Sequence, residues 1–167
     1  MDVKKTQRTN KTQNNNVKKA VTFPKIGDVL ENRFQITEIL GEGAFSVSYK
    51  VFDQSIKLDK ALKVFGLYTE VFYNLTEIRK EANIYKTVTH DNVPIFYELY
   101  ESDYVFFEME YINGSNLRTL LNKGIEKKDK IDIALQLSQA LYQLHFCEVE
   151  HKDLKPENIL IGENQKV

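Results

Sequence analysis

The segment His151–Asn158 carries the side chains best suited to chemistry, because an acid, basic residues and an amide lie close together between two apolar stretches. Phosphoryl transfer needs a carboxylate to orient and deprotonate a hydroxyl, cations on the phosphates and oxygen ligands for Mg²⁺. Asp153 suits the first role, Lys155 the second and Asn158 the third. The alternative is a polar surface loop without a function, which does not explain the apolar flanks.

A glycine-rich turn at residues 41–46 separates two stretches that we interpret as strands, with glycine at positions 41 and 43. Because glycine has no Cβ, its backbone N–H groups can approach phosphate oxygens closely. Taken alone, these residues are better explained by an ordinary hairpin turn. A strand rather than a helix follows the turn, which disfavours a dinucleotide-binding fold.

Lys63 lies in an apolar stretch that we interpret as a strand, on the same face as Ala61. Burying its ammonium is unfavourable unless a phosphate or a carboxylate pairs with it. Glu81 is the candidate carboxylate, since it lies in the middle of a predicted helix beside an apolar stripe. The simpler alternatives are a charge that protects an edge strand for Lys63 and a solvated helix charge for Glu81.

Three residues of the types that bind metals form a competing candidate: His145, Cys147 and His151. They lack a fourth nearby ligand and the usual spacings, so we favour packed histidines and a buried thiol at a helix end. With one cysteine in 167 residues the chain forms no internal disulfide, and we expect an intracellular, cytoplasmic or nuclear location. No apolar run approaches the length of a membrane span, and residues 1–22 lack the apolar core expected of a secretory signal.

Residues 1–22 are predicted to form a disordered basic tail, because almost no apolar side chain interrupts their Lys, Asn, Gln and Thr. A solvated tail without a task is favoured over a nuclear-import or acidic-partner patch. The formal net charge of the whole chain is −1, so we expect no nucleic-acid partner. Binding of nucleic acid by the tail itself remains a minor alternative.

Hydrophobic periodicity places the candidate residues on specific elements. Alternating residues predict a meander of three strands around Phe34–Leu40, Val47–Val51 and Ala61–Phe65. A helical period then runs from Glu70 to Thr87, with Val71, Leu75, Ile78, Ala82 and Tyr85 on one face. Two aromatic-rich strands follow at Ile95–Tyr100 and Tyr104–Met109.

The last third of the chain is predicted to be mainly helical. Ser115 is a plausible N-cap for a short helix that ends at Asn122. A longer helix spans Lys127–Phe146, with its inner stripe formed by Ile131, Ala134, Leu135, Ser138, Leu141 and His145. A short strand follows at 159–161. Strands with one helix, then helices, indicate the α+β class, with one unit at 23–110 and a second at 111–167.

Together these segments resemble the protein kinase family, because their order and spacing reproduce its motifs. The matching segments are the glycine-rich Gly41-x-Gly43-x-x-Ser46, the strand motif Ala61-Leu62-Lys63, Glu81, the segment Met109-Glu110-Tyr111-Ile112 and the loop His151–Asn158. The Lys155-Pro156-Glu157-Asn158 ending is similar to the serine/threonine branch. The likeness covers residues 28–167 and implies a five-stranded antiparallel N-lobe with one helix, plus the first helices of a C-lobe.

The resemblance also implies ATP and Mg²⁺ as cofactors and a protein substrate. It makes Asp153 the base, Asn158 a metal ligand and Lys155 a γ-phosphate contact. It makes Lys63 the ligand of the α- and β-phosphates, paired with Glu81. The nucleotide would also meet residues of the glycine-rich loop, the adenine slot and the hinge: Leu40, Gly41, Gly43, Ser46, Ser48, Ala61, Met109, Glu110 and Ile112.

Three positions depart from the family pattern. Ser46 replaces the third loop glycine, and Ser48 replaces an adenine-packing valine, which predicts weaker nucleotide binding. Lys152 replaces an arginine, which keeps the charge but loses the bidentate fork. The sequence ends at Val167, before the position of the family's Asp-Phe-Gly segment, so we expect this chain alone to be inactive. The alternative function is a non-catalytic, pseudokinase-like module that binds ATP or a partner.

Overall fold

The computed structural model describes residues 22–66, 75–163 and 167. It consists of a six-stranded antiparallel sheet with one helix, followed by a smaller part with two helices and a two-stranded sheet. The elements in chain order are β1 (Val29–Leu30), β2 (Phe34–Glu42), β3 (Ser46–Asp53), β4 (Leu58–Phe65), α1 (Leu75–Thr87), β5 (Phe96–Glu101), β6 (Val105–Glu110), β7 (Gly114–Asn116), α2 (Leu117–Lys123), α3 (Lys127–Phe146), a 3₁₀ turn (Pro156–Asn158) and β8 (Leu160–Gly162).

The large sheet has the strand order β1-β2-β3-β4-β6-β5, and each neighbouring pair is antiparallel. In β3 every second residue from Val47 to Asp53 is buried, the period expected for a strand with one core face. The predicted three-strand meander and the α+β class are therefore confirmed. The sheet has six strands rather than the predicted five because the two-residue β1 pairs with the start of β2.

The large sheet has a core on each of its two faces. One core is made by side chains of β1–β4 and β6: Leu30, Phe34, Ile36, Val47, Tyr49, Val51, Leu62, Val64 and Phe106. The other lies between the sheet and α1: Phe65, Ile78, Ala82, Val105 and Phe107. Burial of apolar surface on both faces fixes the register of the central strands, since a slip of one residue would exchange the two sets.

Helix α1 packs on the second core through the stripe that the sequence predicted. Ile78 and Ala82 are buried, and Leu75 and Tyr85 are partly buried against the same cluster. The predicted start of this helix at Glu70, together with Val71, lies outside the described residues. So do residues 1–21 of the predicted tail, and the division into units at 23–110 and 111–167 stays a prediction.

Helix α3 has the predicted bounds, and most of its predicted inner stripe is exposed in the described part of the chain. The buried residues are Ile133 and Ala140, whereas Ile131 and Leu135 are each 58% exposed. Ala134, Ser138 and His145 are exposed as well, and Leu141 is half-buried. Apolar residues lie on several sides of α3, so its period cannot select one face. Packing selects it: Ile133 joins Ile159 and Ile161 of the loop and β8 in a third core.

The N-cap of α2 is Asn116 rather than Ser115. The Asn116 side-chain oxygen accepts a hydrogen bond from the Thr119 N–H at 2.8 Å. Ser115 instead pairs with Ile161 in the β7–β8 ladder. Serine and asparagine are both good N-caps, and the predicted N-cap is therefore wrong by one position. Across the described ranges, none of the helices has the length and hydropathy to cross a membrane.

Candidate active site

The strand register collects predicted nucleotide contacts in one row across the large sheet. Gly41 of β2 lies opposite Ser48 of β3, and Ser48 lies opposite Lys63 of β4. Lys63 in turn lies opposite Phe107 of β6. Directly opposed residues of antiparallel strands point to the same face, so these side chains share the face that carries α1.

Ala61 and Met109, two further predicted contacts, lie on that face one pleat away. Ala61 of β4 is opposite Met109 of β6, two residues from Lys63 along its strand. Leu40 occupies the register shift between Ile39 and Gly41, and it is 43% exposed. An irregularity of this kind re-aims a side chain relative to the regular pleat.

The chain leaves the sheet after Glu110, the last residue of β6. The N–H of Glu110 donates to the Ile95 carbonyl at 2.8 Å, and the Glu110 carboxylate accepts from the Ile95 N–H at 3.1 Å. The Lys50 ammonium lies 4.5 Å from the centre of the Tyr111 ring, which ties this connection to β3. Ile112 follows in the segment between β6 and β7 and is half-buried.

Lys63 and Glu81 form an ion pair between β4 and α1. The Lys63 ammonium lies 2.8 Å from Glu81 Oε1, and the two side chains are 29% and 27% exposed. The ammonium also lies 5.1 Å from the centre of the Phe65 ring, an attractive distance for a cation and an aromatic face. The predicted carboxylate partner of Lys63 is therefore the observed one, and the pair remains open to solvent.

The glycine-rich turn is an exposed hairpin tip. Gly43 donates its N–H to the Ser46 carbonyl at 2.8 Å, which closes the turn. A Cβ added at Gly41 would have no atom within 4 Å, so protein does not fill the space above this residue. The absence of a Cβ is thus not required by packing at Gly41, and it leaves room for a ligand to approach the backbone.

The side chains of Asp153, Lys155 and Asn158 meet in the loop after α3. The Lys155 ammonium lies 2.9 Å from Asp153 Oδ2. The Asn158 amide donates to the same oxygen at 2.8 Å and to the Asp153 carbonyl at 2.9 Å. The three predicted residues therefore form one cluster, although they span a 3₁₀ turn and an extended residue.

The electrostatics of this cluster favour an ionised Asp153. The Lys155 hydrogen bond, and then that of Asn158, holds the pKa of the Asp153 carboxyl below its usual value. A carboxylate with a lowered pKa is a weak base at neutral pH. It is suited to accepting a hydrogen bond from a hydroxyl group and so to orienting it.

The backbone before Asp153 is tightly turned. Lys152 has a φ of 60°, in the left-handed region that side chains other than glycine rarely adopt. The Asp153 N–H donates to the His151 carbonyl at 2.8 Å across this residue. Conformations of this kind concentrate at functional sites, where surrounding structure maintains them.

Helix α2 and strand β7 hold the other end of the loop. Arg118 Nε donates to Glu157 Oε1 at 2.8 Å, and the Leu117 N–H donates to the Ile159 carbonyl at 2.8 Å. A Cβ at Gly114 would overlap the carbonyl of Ile161, so β7 and β8 approach each other closely because this residue is glycine. Neither contact can be predicted from the sequence, since Gly114 and Arg118 meet their partners only once β7 is paired with β8.

A metal ion in this loop would need hard oxygen ligands. Asn158 uses its NH₂ group for both bonds to Asp153, which leaves the amide oxygen as its group for a cation. The donor chemistry therefore fits Mg²⁺. Within residues 22–66, 75–163 and 167, no three of His, Cys, Asp and Glu come together in a metal-binding group, and this includes His145, Cys147 and His151.

A cavity of about 600 Å³ lies elsewhere, between the β7–β8 pair and α3. Its lining combines apolar residues such as Ile125 and Ile133 with the carboxylates of Asp129, Asp132 and Glu163. It contains none of the predicted nucleotide contacts.

Comparison with known proteins places this geometry in a family. The profile of the protein kinase domain matches residues 34–167. A probable serine/threonine-protein kinase of Clostridium acetobutylicum is 32% identical over 83% of this chain, which spans 22% of that relative. The serine/threonine-protein kinase PrkC of Bacillus subtilis is 29% identical over 81% of this chain, which spans 22% of its length.

A third relative is a eukaryotic kinase, the serine/threonine-protein kinase cds1 of Schizosaccharomyces pombe. It is 33% identical over 78% of this chain, which spans 30% of its length. The chain thus covers well under half of these relatives, and the residues of this chain that match the kinase-domain profile include both the β4–α1 ion pair and the Asp153 loop. The chain belongs to the protein kinase domain family, and its relatives are serine/threonine kinases.

Proposed function

We propose that this chain supplies the ATP-binding lobe and the catalytic loop of a kinase that transfers the γ-phosphoryl group of ATP to serine or threonine hydroxyls of proteins. The Lys63–Glu81 ion pair carries the proposal, because it keeps an ammonium half-exposed on the face that also holds Gly41, Ser48 and Ala61. Structural ion pairs seldom need such a row of small neighbours, whereas a nucleotide does.

Each proposed residue has a role that its chemistry fits. Lys63 binds the α- and β-phosphates, and Glu81 orients its ammonium. The backbone of Gly41, Gly43 and Ser46 approaches the phosphates at the hairpin tip. Adenine packs in a slot bordered by Leu40, Ser48, Ala61 and Met109, with its polar edge at the backbone of Glu110 and Ile112.

The loop residues act on the reacting groups. Asp153 orients the substrate hydroxyl and accepts its proton, and Lys155 stabilises charge on the γ-phosphate. Asn158 is the Mg²⁺ ligand contributed by this segment, and the ion neutralises phosphate charge when it is bound. The proposal requires Lys63 and Asp153 to face the same triphosphate. We expect no turnover from this 167-residue chain alone, because the segments that complete the family's metal site and peptide platform are not among its residues.

Calorimetric titration with Mg-ATP tests the proposal on the chain as it stands. We expect saturable binding that Lys63→Ala weakens about tenfold to a hundredfold, since it removes charge-assisted hydrogen bonds to phosphate. Lys80→Ala is the matched control, because Lys80 is an exposed lysine of α1 whose partner is Glu77 on the same helix. Equal affinity in wild type and Lys63→Ala, or no binding at all, would refute the assignment.

A phosphotransfer assay with a generic protein substrate separates binding from catalysis. We expect no incorporation above background by the purified chain. Turnover that Asp153→Asn abolishes would show that the expectation of inactivity is wrong while supporting the role of Asp153. The alternative, a non-catalytic module that binds ATP or a partner, is favoured if the complete coding sequence lacks an in-frame Asp-Phe-Gly after Val167.

A further inference from the structure

We propose that Arg79 is a positioning residue. Its ion pair with Glu101 holds α1 at the position along β5 from which Glu81 reaches Lys63. The inference deepens the proposed function, because it names a residue outside the nucleotide site that acts through Glu81. Neither Arg79 nor Glu101 belongs to a motif that the sequence analysis identified.

The contact between Arg79 and Glu101 is bidentate. Arg79 Nε lies 2.7 Å from Glu101 Oε1, and Arg79 Nη2 lies 2.6 Å from Glu101 Oε2. A guanidinium and a carboxylate joined by two parallel bonds define an orientation as well as a distance. Arg79 is in the second turn of α1, and Glu101 is the last residue of β5.

Helix α1 meets the sheet largely through apolar contacts, in which Leu75 and Tyr85 join two buried residues. Its buried residues are Ile78 and Ala82, one large and one small side chain. Apolar contacts lack direction, so two buried side chains resist separation of helix and sheet better than they resist sliding. The polar contacts at the rim therefore determine how far along β5 the helix lies.

A second contact pair lies two helical turns away. The Lys86 ammonium is 3.5 Å from Glu98 Oε1, and the Tyr85 ring stacks on Phe96 at 5.7 Å between ring centres. Arg79 and Lys86 are seven residues apart, which is about 10 Å along a helix. Glu98 and Glu101 are three residues apart, which is about 10 Å along a strand. Both pairs therefore form at one helix position, and a slide of one turn would break both.

Arg79 is linked to the proposed nucleotide site through helix α1 and through the hydrogen-bonded strands β5, β6 and β4. Arg79 and Glu81 are two residues apart on one helix. Glu101 pairs with Val105 of β6, and Phe107 of β6 pairs with Lys63 of β4. The Arg79–Glu101 and Lys63–Glu81 pairs thus join the same helix to the same hydrogen-bonded strands. If the first is released, the helix can move in the direction that separates the second.

Charge supports the persistence of the pair. The Arg79 hydrogen bond holds the pKa of Glu101 below its usual value, so the carboxylate is ionised throughout the neutral range. A solvent-exposed ion pair contributes little to the free energy of unfolding, whereas the bidentate geometry of this pair restricts its orientation. Arg79 should therefore affect helix position, and through it Lys63, more than it affects stability.

The test measures Lys63 directly and needs no nucleotide. The chain is treated with a water-soluble acetylating reagent, and the acetylation rate of Lys63 is followed by peptide mass spectrometry. Only the neutral amine attacks the reagent, and a carboxylate partner favours the protonated form, so we expect Glu81→Gln to raise this rate. We expect Arg79→Gln to raise it as well, roughly threefold to tenfold. Lys80→Gln is the matched control and leaves it unchanged, because the Lys80–Glu77 pair lies within the helix.

An unchanged Lys63 rate in Arg79→Gln overturns the inference, whatever the nucleotide affinity. The double variant Arg79→Glu with Glu101→Arg reverses the ion pair over the same distance. If Arg79→Gln raises the acetylation rate of Lys63 and this double variant returns it to the wild-type value, the inference is supported. Mg-ATP titration adds a double-mutant cycle: Arg79→Gln weakens binding in wild type and has no further effect in Glu81→Gln. If the wild-type chain binds no nucleotide, the proposed function fails while the labelling result still decides the role of Arg79.

Discussion

Asp53 is a buried carboxylate whose protonation depends strongly on folding. Its carboxylate is fully buried at the end of β3, and Arg33 donates to Oδ2 from Nε at 2.9 Å and from Nη2 at 2.5 Å. Ser55 donates to Oδ1 through its N–H and its hydroxyl. The Arg33 hydrogen bonds are the largest cause of a pKa for Asp53 well below its ordinary value of 3.8.

Asp53→Asn should destabilise the chain in a way that depends on pH. At pH 7 we expect a loss of roughly 2 to 4 kcal/mol in the free energy of unfolding, because the amide cannot replace the charge-assisted hydrogen bonds that the partly buried Arg33 makes to the buried carboxylate. Asp53 has a depressed pKa in the folded state, so its contribution is complete above pH 3.8 and decreases as the pH falls below that value. Urea unfolding at pH 7 and pH 3 should therefore show a smaller deficit at pH 3, and an equal deficit contradicts the ion pair.

The sequence predicted single residues well where one contact follows from local spacing. The sequence predicts a pair between Lys63 and Glu81, because a charge in an apolar strand needs a partner. The Lys63 ammonium does lie 2.8 Å from Glu81 Oε1. Asp153, Lys155 and Asn158 were grouped because they lie within one short loop. Arg79 and Glu101 could not be paired in this way, since both are ordinary exposed charges until α1 lies beside β5. Whether Lys63 and Asp153 act on one nucleotide stays a prediction.

At the scale of elements, the sequence predicted whether a segment is a helix or a strand better than it predicted which face of the element is buried. For the strands and for α1, the hydrophobic pattern predicted both the type of element and its buried face, because one side of each element is clearly polar. In α3 apolar residues surround the helix, so its buried face depends on the contact with Ile159 and Ile161 rather than on its period. The two-residue β1 carries too few residues to show any period.

The β7–β8 pair offers a test at this scale, because it supports the end of the loop that contains Asp153. Gly114→Ala would push a methyl group into the Ile161 backbone, so we expect a loss of about 2 kcal/mol in the free energy of unfolding. Amide hydrogen exchange at residues 159–162 should become faster. Gly41→Ala is the control, since its methyl would have no atom within 4 Å and should leave the free energy of unfolding nearly unchanged. Equal stability of the two variants would contradict the close approach of β7 and β8.

At the scale of the whole molecule, the described residues leave one side of α3 apolar and uncovered. Ile131 and Leu135 are each 58% exposed, and Tyr142 and Phe146 are 71% and 73% exposed. Their spacings of four, seven and four residues place them along one side of the helix. Apolar patches of this kind promote association in water.

We therefore expect the purified chain to self-associate in the micromolar range, with a mass in light-scattering chromatography that rises with concentration. Leu135→Gln combined with Tyr142→Gln should shift this transition to higher concentration, because the two substitutions interrupt the stripe. Ile56→Gln is the matched control: Ile56 is 49% exposed but lies in the turn between β3 and β4, away from α3. If the mass stays monomeric at every concentration, or if Ile56→Gln has the same effect as the α3 variant, the stripe does not drive association.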